Sequence, residues 1–190
     1  MKLLGSKIIT TERLILRPTE KQDLRILYDI LMIPEVNKYY LTSKIGLSWK
    51  EEEPWQLKKL ARAKDNDVFQ WSIVKKEDNS CIGQLSIQEK GNHPIEIRDI
   101  GWFIDPKEQR KGYGVEAAEA GIKYMFDHVG ITSIETSSAI VNEASWKLME
   151  KLGFRRRENA EYMNDNYTFL DEPVKCYRYG LTKEEYTKRK

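Results

Sequence analysis

The chain has 190 residues, of which 40% are hydrophobic and 33% charged, and its formal net charge is only +2. This length allows one well-cored domain and is short for two, and the near-neutral charge argues against the concentrated basic face that bulk nucleic-acid binding needs. No apolar run approaches the ~20 residues that cross a bilayer, and the amino terminus lacks the apolar core of a signal peptide. We therefore expect one cytoplasmic domain over residues 1–190 that binds neither nucleic acid nor membrane.

The cysteines and histidines show no metal-ligand pattern. Cys81 and Cys176 lie far apart in the sequence, and His93 and His128 are isolated. Two reduced structural thiols are the simplest interpretation of such cysteines in a cytoplasmic protein. We expect no metal site.

Hydrophobic periodicity predicts a series of strands. In chain order they cover Thr11–Arg17, Phe69–Val74, Cys81–Gln88, Ile100–Ile104, Ser133–Val141, a segment from Phe154 onward, and Val174–Leu181. The polar segment Glu77-Asp78-Asn79-Ser80 predicts that the second and third strands form a hairpin. Residues 1–10 are predicted to be a short lead-in, and residues 183–190 a polar tail.

Helices are predicted between these strands. The first opens with the capping-box pattern Thr19-Glu20-Lys21-Gln22 and ends before Pro34. Residues 35–47 are predicted as a loop, and a charged helix then runs from Ser48 or Pro54 to Ala63. An amphipathic helix follows a glycine pair, and a short helix capped by Asn142 ends at Gly153. The alternation of strands and helices indicates a mixed α/β sheet in a single domain.

The segment between the predicted central strand and the amphipathic helix has the features of an anion site. The strand exits at Asp105-Pro106, and Gln109-Arg110-Lys111-Gly112-Tyr113-Gly114 leads into the helix. The first amides of a helix lack backbone partners, and glycine lets a phosphate approach the backbone closely. Arg110 and Lys111 add positive charge. The sequence therefore predicts a phosphate-bearing ligand between Gln109 and Val115.

Two common phosphate loops fit this segment poorly. A Walker A loop is excluded because no Ser or Thr follows a Gly-Lys pair. Gly112, Gly114 and Ala117 match the dinucleotide pattern G-x-G-x-x-A, with Glu135 about 20 residues further on. However, that fingerprint needs its glycines at the strand tip, whereas eight residues separate Ile104 from Gly112. Glu135 also falls inside the next predicted strand.

Four blocks of sequence resemble a known superfamily. Gln109–Gly114 matches Q/R-x-x-G-x-G/A, the acyl-CoA pyrophosphate loop of the GNAT superfamily of N-acyltransferases, and Asn142–Phe154 resembles its N-x-x-S/A…K-L-G-F block. One branch of the superfamily opens with T-E-R-L-x-L-R-P, which resembles Thr11-Glu12-Arg13-Leu14-Ile15-Leu16-Arg17-Pro18. Glu116-Ala117, just after the glycines, also resembles this branch. That branch contains the ribosomal-protein N-terminal acetyltransferases and related small-amine acetyltransferases.

The resemblance implies both a fold and a reaction. The fold would be a GNAT fold, in which a mixed, mostly antiparallel, twisted sheet of about seven strands is splayed at its central strand and flanked by about four helices. The reaction would be direct transfer of an acetyl group from acetyl-CoA to a primary amine, most similar to a protein N-terminus of the ribosomal-protein type. Alternatives are a small amine (polyamine, amino sugar or antibiotic) as acceptor and a CoA-binding module without turnover. A homodimer is one assembly that fits this branch.

The resemblance also implies which residues hold the cofactor. The loop would bind the pyrophosphate of acetyl-CoA through Gln109, Arg110, Lys111, Gly112, Tyr113, Gly114 and Val115. Trp102, Phe103 and Ile104 match the central-strand positions that pair with pantetheine. A backbone N–H there would stabilise the tetrahedral oxyanion, an effect typically worth ~3–4 kcal/mol. Asn142 matches a helix-start asparagine that contacts the cofactor, although a helix N-cap alone would also explain it.

The acid and the base are less well marked. Met149 stands where many members have a tyrosine acid, so Ser145, matching a serine proposed for the ribosomal branch, is the predicted acid. Glu161, within Ala160–Tyr167, matches the base proposed for that branch. Glu96 and Asp99 are rival carboxylates, and a water relay is another alternative. The acceptor pocket would be built from residues 33–50 and 162–173.

Overall fold

Strands from the whole length of the chain form one mixed sheet in the computed structural model, which describes residues 1–39, 48–164 and 173–189. The strands are β1 (Ile9–Thr10), β2 (Leu14–Arg17), β3 (Gln70–Lys75), β4 (Cys81–Glu89), β5 (Ile97–Ile104), β6 (Ser133–Ala139), β7 (Arg155–Asn164) and β8 (Val174–Thr182). Their order across the sheet is β1-β2-β3-β4-β5-β6-β8-β7. Adjacent strands are antiparallel except β5 and β6, which are parallel.

Helices connect the strands and cover the sheet. They are α1 (Lys21–Leu31), α2 (Pro34–Asn37), α3 (Trp49–Ala61), α4 (Tyr113–Tyr124), α5 (Glu143–Lys151) and α6 (Lys183–Lys188). A 3₁₀ turn at Pro106–Glu108 precedes α4, and a π turn at Met125–Val129 follows it. In the described part of the chain, no helix is long and apolar enough to cross a bilayer.

The predicted mixed, mostly antiparallel sheet is confirmed, with eight strands in place of about seven. The extra strand is β1, a two-residue segment of the predicted lead-in that pairs with β2. The described residues form six helices in place of about four. The predicted hairpin is also present, since β3 and β4 flank the polar turn and pair antiparallel.

Three local predictions need correction. The capping box of α1 lies one residue later than predicted. Glu20 is the N-cap, and the carboxylate of the buried Asp23 accepts a hydrogen bond from the Glu20 amide. The predicted loop after Pro34 begins with the short helix α2, which buries Val36. The predicted polar tail forms α6, because Tyr186 is buried and stacks on Phe126 with ring centroids 4.7 Å apart.

The main core lies between the sheet and α4. The helix has small residues on its inner face, and Ala117, Ala118 and Ile122 have no solvent exposure. Gly121 allows close approach to the sheet, because a Cβ there would lie 2.5 Å from Leu85 Cδ2. A second, smaller cluster on the other side of β5 holds Phe103 against α1 and α2. The two clusters fix both faces of β5.

A buried ion pair ties α1 to the sheet. The Asp23 carboxylate accepts bidentate hydrogen bonds from Arg17 of β2 at 2.6 and 2.9 Å and another from Ser72 of β3 at 2.9 Å. The Asp23 side chain is 1% exposed and that of Arg17 13% exposed. Removing one partner of such a pair leaves a charge without compensation in a poorly solvated place.

We expect Asp23→Ala to lower the free energy of unfolding by about 3–5 kcal/mol, because Arg17 would lose its buried counter-charge. The matched control is Asp29→Ala on the same helix, which removes the exposed Arg25–Asp29 pair and should change stability by less than about 1 kcal/mol. Urea unfolding at pH 7 followed by circular dichroism measures both. Equal losses in the two variants would contradict this role for the buried pair.

Candidate functional site

A cleft opens where β5 separates from β6. The two strands pair only through Ile97 with Ser133 and Arg98 with Ile134. Beyond Arg98, β5 continues to pair with β4 as far as Ile104, but no strand of the described residues pairs with its other edge. The resulting cleft has a volume of about 740 Å³ and is lined by β5, by β6, by α2 and by the starts of α4 and α5. The splayed central strand implied by the sequence resemblance is therefore present.

The loop before α4 has an unusual backbone. Arg110 and Gly112 both have left-handed conformations, with φ of 62° and 86°. Such residues turn successive amide groups toward one concave side, which is an anion-binding arrangement. The Gln109 side chain anchors the loop by donating from Nε2 to the Ile104 carbonyl at 3.0 Å. The first amides of α4, at Tyr113, Gly114 and Val115, add the free donors of a helix start.

The positive charge at this loop comes chiefly from Arg110. Among the described residues, Arg110 has no ion-pair partner, and it lines the cleft. Lys111 instead donates to Glu108 at 2.9 Å. The hydrogen bond from Lys111, with help from the charge of Lys75, lowers the pKa of the Glu108 carboxyl. Lys111 carries the formal positive charge expected from the sequence, and Glu108 compensates this charge in the structure.

Most of the predicted cofactor residues meet in the cleft. Those that line it are Trp102, Phe103, Ile104, Gln109, Arg110, Gly112, Gly114, Val115 and Asn142. Lys111 and Tyr113 do not line it. Tyr113 lies under the Arg13 guanidinium, 4.6 Å from the ring centroid. Gly114 brings α4 close to α5, because a Cβ there would lie 3.3 Å from Leu148 Cδ1.

The start of α5 directs two predicted residues into the cleft. The Asn142 side chain accepts a hydrogen bond from the Ser145 amide at 3.4 Å, so the predicted N-cap is confirmed. The helix is also fixed by Trp146, whose ring N–H donates to the Ile140 carbonyl at 2.9 Å. Ser145 and Met149 then lie along the cleft wall. Met149 has no proton to donate, so Ser145 is the hydroxyl that α5 supplies to the cleft.

The structure does not bring Glu161 to this group. Glu161 lies in β7, its side chain is 50% exposed, and it forms an ion pair with Lys175. The hydrogen bond to Glu161 raises the pKa of Lys175. Glu161 does not line the cleft, and neither does Glu96, which precedes β5. The neighbouring Tyr162, in contrast, donates to Ser137 Oγ of the cleft wall at 2.9 Å.

Asp99 is the carboxylate that β5 places in the cleft. Its Oδ1 is buried and has no hydrogen-bond partner among the described residues. Asp99 lies opposite Gln88 of β4 in the antiparallel register, so both side chains lie on the same face of the sheet. Gln88 also lines the cleft. A buried carboxylate oxygen without a donor is costly unless a ligand or water completes it.

Several cleft residues were not identified from the sequence. Thr136 and Ser137 of β6 line the cleft, and Thr136 Oγ1 donates to the Ile100 carbonyl at 3.2 Å across the split. Glu35 and Lys38, in and just after α2, line its other end. The alternation of side chains along a strand could have predicted that Thr136 and Ser137 lie on opposite faces of the sheet. Nothing local in the sequence marks which strand edge is open.

The predicted acceptor loops are described only in part. Within residues 33–50, Tyr39 lines the cleft, while Trp49 packs on Tyr28 of α1 with ring centroids 5.2 Å apart. Residues 40–47 and 165–172 lie outside the described residues. In the described parts of the chain, no cluster of His, Cys, Asp and Glu is arranged to hold a metal ion.

Comparison with known proteins gives relatives that are described as N-acetyltransferases. The chain is 29% identical over 149 residues to the uncharacterized N-acetyltransferase YnaD of Bacillus subtilis (strain 168), covering 78% of this chain and 82% of that protein. It is 27% identical over 176 residues to the uncharacterized N-acetyltransferase YoaA of the same organism, covering 88% of this chain and 94% of YoaA.

Solved structures share the fold at lower identity. A spermidine N-acetyltransferase from Vibrio cholerae, in complex with CoA and spermine, superposes with a TM-score of 0.78 at 19% identity, covering 93% of this chain and 99% of that one. A ribosomal-protein-S5-alanine acetyltransferase from Vibrio fischeri superposes with a TM-score of 0.77, also at 19% identity, covering 95% and 99%. The acetyltransferase (GNAT) domain family matches residues 13–155. The chain therefore belongs to the GNAT acetyltransferase domain family.

Proposed function

We propose that this N-acetyltransferase holds acetyl-CoA along the split between β5 and β6 and transfers its acetyl group to a protein N-terminal amine of the ribosomal-protein type. One observation carries the proposal. A single cleft contains an anion-binding loop at one end and an open strand edge along its length. Its walls carry a hydroxyl and a carboxylate oxygen for which the described residues supply no donor. Those are the groups that thioester aminolysis requires.

The cofactor would lie with its diphosphate at the loop. The free amides from Arg110 to Val115 and the guanidinium of Arg110 would neutralise and orient it. The pantetheine arm is peptide-like, so its amides can hydrogen-bond to the open edge of β5 at Trp102–Ile104 as an added strand would. A β5 backbone N–H would then donate to the thioester carbonyl, as in an oxyanion hole. Asn142 would contact the cofactor from the start of α5.

The reaction needs a base on the acceptor side and an acid on the thiol side. The amine nitrogen attacks the thioester carbonyl carbon to form a tetrahedral intermediate, and the ammonium proton passes to Asp99 directly or through water. The C–S bond then breaks and the thiolate of CoA takes a proton from Ser145 Oγ. Ser145 recovers its proton from solvent. Glu161, the base implied by resemblance, would first have to leave its ion pair with Lys175.

The acceptor class rests on the motifs of the ribosomal-protein branch. Thr11–Pro18, Glu116-Ala117 and Ser145 resemble that branch, and a ribosomal-protein-S5-alanine acetyltransferase is among the structures with the same fold. A small amine is the second candidate acceptor, because a spermidine N-acetyltransferase complexed with CoA and spermine has the same fold too. Thiol release from acetyl-CoA with N-terminal peptides, polyamines and amino sugars ranks the two classes. A kcat/KM that is higher for a polyamine than for every peptide would contradict the peptide acceptor and support a small amine.

Calorimetric titration with CoA tests the cofactor site, using the matched glycine variants Gly112→Ala and Gly130→Ala. Both glycines have left-handed φ, 86° and 79°, so both variants should lose about 1–2 kcal/mol of stability. Only Gly112 belongs to the loop, and a Cβ there would also lie 3.2 Å from the Arg13 guanidinium. We expect Gly112→Ala to weaken CoA binding by about tenfold or more, because the amides would be displaced.

The outcome that contradicts this site is defined by the same titrations. Gly130 has open space around its missing Cβ, so Gly130→Ala should bind CoA as the unaltered protein does. Absence of heat with CoA and acetyl-CoA in the unaltered protein would remove the proposed site. Equal weakening in both glycine variants would show that lost stability, rather than the loop, governs affinity.

Ser145→Ala should lower kcat by about 10²-fold or more if Ser145 donates the proton to the leaving thiolate. The dissociation constant for CoA should stay within about twofold, since binding depends on the loop and β5 rather than on this hydroxyl. Stopped-flow acetyl transfer and calorimetry measure the two quantities. An unchanged kcat would assign the acid elsewhere.

Asp99→Asn and Glu161→Gln distinguish the two candidate bases. Both substitutions remove a carboxylate charge, but only Asp99 lines the cleft. We expect Asp99→Asn to reduce kcat/KM for the amine by about 10²–10⁴-fold, whereas Glu161→Gln should change it by less than about threefold. The opposite pattern would identify Glu161 as the base and would show that β7 reaches the cleft during turnover.

A further inference from the structure

Two sequence motifs to which the proposed function gives no chemical role meet beside the anion-binding loop. They are Thr11-Glu12-Arg13, before β2, and Glu116, in the first turn of α4. We propose that Arg13 is a positioning residue for the diphosphate of acetyl-CoA, because it clamps the loop to Glu116 from outside the cleft. This inference rests on the proposed function, which assigns residues 109–115 to the diphosphate.

Arg13 contacts the loop from three sides. Its Nη1 donates to the Lys111 carbonyl at 2.8 Å, in the middle of the loop. Its Nε donates to Glu116 Oε2 at 2.7 Å, and its Nη2 lies 2.7 Å from the same oxygen. Its guanidinium lies 4.6 Å from the ring centroid of Tyr113, the first residue of α4. One side chain thus contacts a loop carbonyl, the first residue of the following helix and a carboxylate in that helix.

Both oxygens of the Glu116 carboxylate accept hydrogen bonds from the segment that contains Thr11 and Arg13. Its Oε1 accepts from the Thr11 hydroxyl at 2.6 Å and from the Arg13 backbone amide at 2.8 Å. Burial opposes ionisation of Glu116, but the hydrogen bonds from Thr11 and Arg13 outweigh it and lower the pKa of the carboxyl. Glu116 therefore remains charged, and its side chain is only 16% exposed. The Glu116 carboxylate is therefore a fixed hydrogen-bond acceptor for Arg13.

The contact with the Lys111 carbonyl determines where an amide points. In a trans peptide, the C=O and the N–H of one unit point in opposite directions, and the described chain has no cis peptide. Arg13 does not line the cleft, whereas Gly112 does. A Lys111 carbonyl held on Arg13 therefore turns the Gly112 N–H away from Arg13 and toward the ligand side. Without that contact, rotation of this peptide unit would withdraw a donor.

The clamp also holds a strained conformation. Arg110 has φ of 62°, a left-handed conformation that is strained for a non-glycine residue. Such a conformation persists only where surrounding contacts fix it. Gln109 holds the first half of the loop on β5, and Arg13 holds the second half on α4. The ligand then meets a loop that is already in its binding shape, so less ordering entropy is lost on binding.

The chemistry favours arginine over lysine at this position. The arginine fork presents several donors in one plane, so it can satisfy a carboxylate and a carbonyl together and still stack on an aromatic ring. A lysine ammonium is a point charge that keeps one of these contacts at a time. An exposed ion pair ordinarily contributes little stability. The contacts of two guanidinium nitrogens with Glu116 and the added carbonyl contact distinguish this pair from the exposed Arg25–Asp29 pair on α1.

The test compares two acetyl donors in the 190-residue protein. Acetyl-CoA carries the diphosphate, whereas S-acetylpantetheine carries the same thioester without it. Arg13→Gln, Arg13→Lys and Glu116→Gln are assayed with both donors, and Arg62→Gln is the control. Within the described part of the chain, Arg62 forms ion pairs only with Asp65 and Asp67, just after α3. Its loss should therefore leave the activity with both donors unchanged.

We expect Arg13→Gln to raise KM for acetyl-CoA about tenfold, with kcat within about twofold and the amine KM unchanged. Activity with S-acetylpantetheine should be unchanged. Arg13→Lys should show a smaller rise, about threefold, because the charge remains but the fork is lost. Glu116→Gln should resemble Arg13→Gln, and the double variant should be no worse than the single ones, since the two residues act as one unit.

A structural role alone would give a different result. If Arg13 only stabilised the junction of β2 and α4, the variants would lose activity with both donors in equal proportion, and that outcome overturns the proposal. Unchanged KM for acetyl-CoA in Arg13→Gln also overturns it. If Arg13→Gln does not fold, the proposal is tested with Arg13→Lys and Glu116→Gln, by comparing their activity with acetyl-CoA and with S-acetylpantetheine. Unaltered protein that fails to bind CoA would instead contradict the proposed function itself.

Discussion

The functional geometry of this protein depends on an interruption in one strand pairing. β5 pairs with β4 from Arg98 to Ile104 but with β6 only at Ile97 and Arg98. Apolar clusters hold β5 on both faces, with Ile104 in the main core and Phe103 in the smaller one. A strand edge that would otherwise invite aggregation is thereby enclosed within the molecule and lines a cleft.

Charge is distributed unevenly around that cleft. Near the loop, Lys111 and Lys75 are paired with Glu108, so Arg110 is the cation left to face a ligand. Elsewhere in the cleft, Asp99 has a buried oxygen for which the described residues supply no donor. A guanidinium at the loop and this carboxylate suit an anionic donor and a cationic acceptor.

The comparisons define the family, whereas the fold does not choose the acceptor. Spermidine and ribosomal-protein acetyltransferases superpose on this chain about equally well. A shared fold supports many substrates, because specificity comes from the side chains around one site. Here the side chains proposed to face the acceptor belong to α2 and to β6. The features proposed to bind acetyl-CoA are, in contrast, carried by backbone conformation in the loop and in β5.

The sequence by itself determined the features that depend on near neighbours. The glycine loop, the Asn142 cap and the β3–β4 hairpin were predicted because glycine conformation, capping and turn chemistry act within a few residues. Tertiary structure decided the partnerships. Arg13 and Glu116 are 103 residues apart, Lys111 pairs with Glu108, and Glu161 lies on the surface while Asp99 lies in the cleft. Strand order, register and the β5–β6 split fix those positions, and they arise from packing over the whole chain rather than from any local pattern.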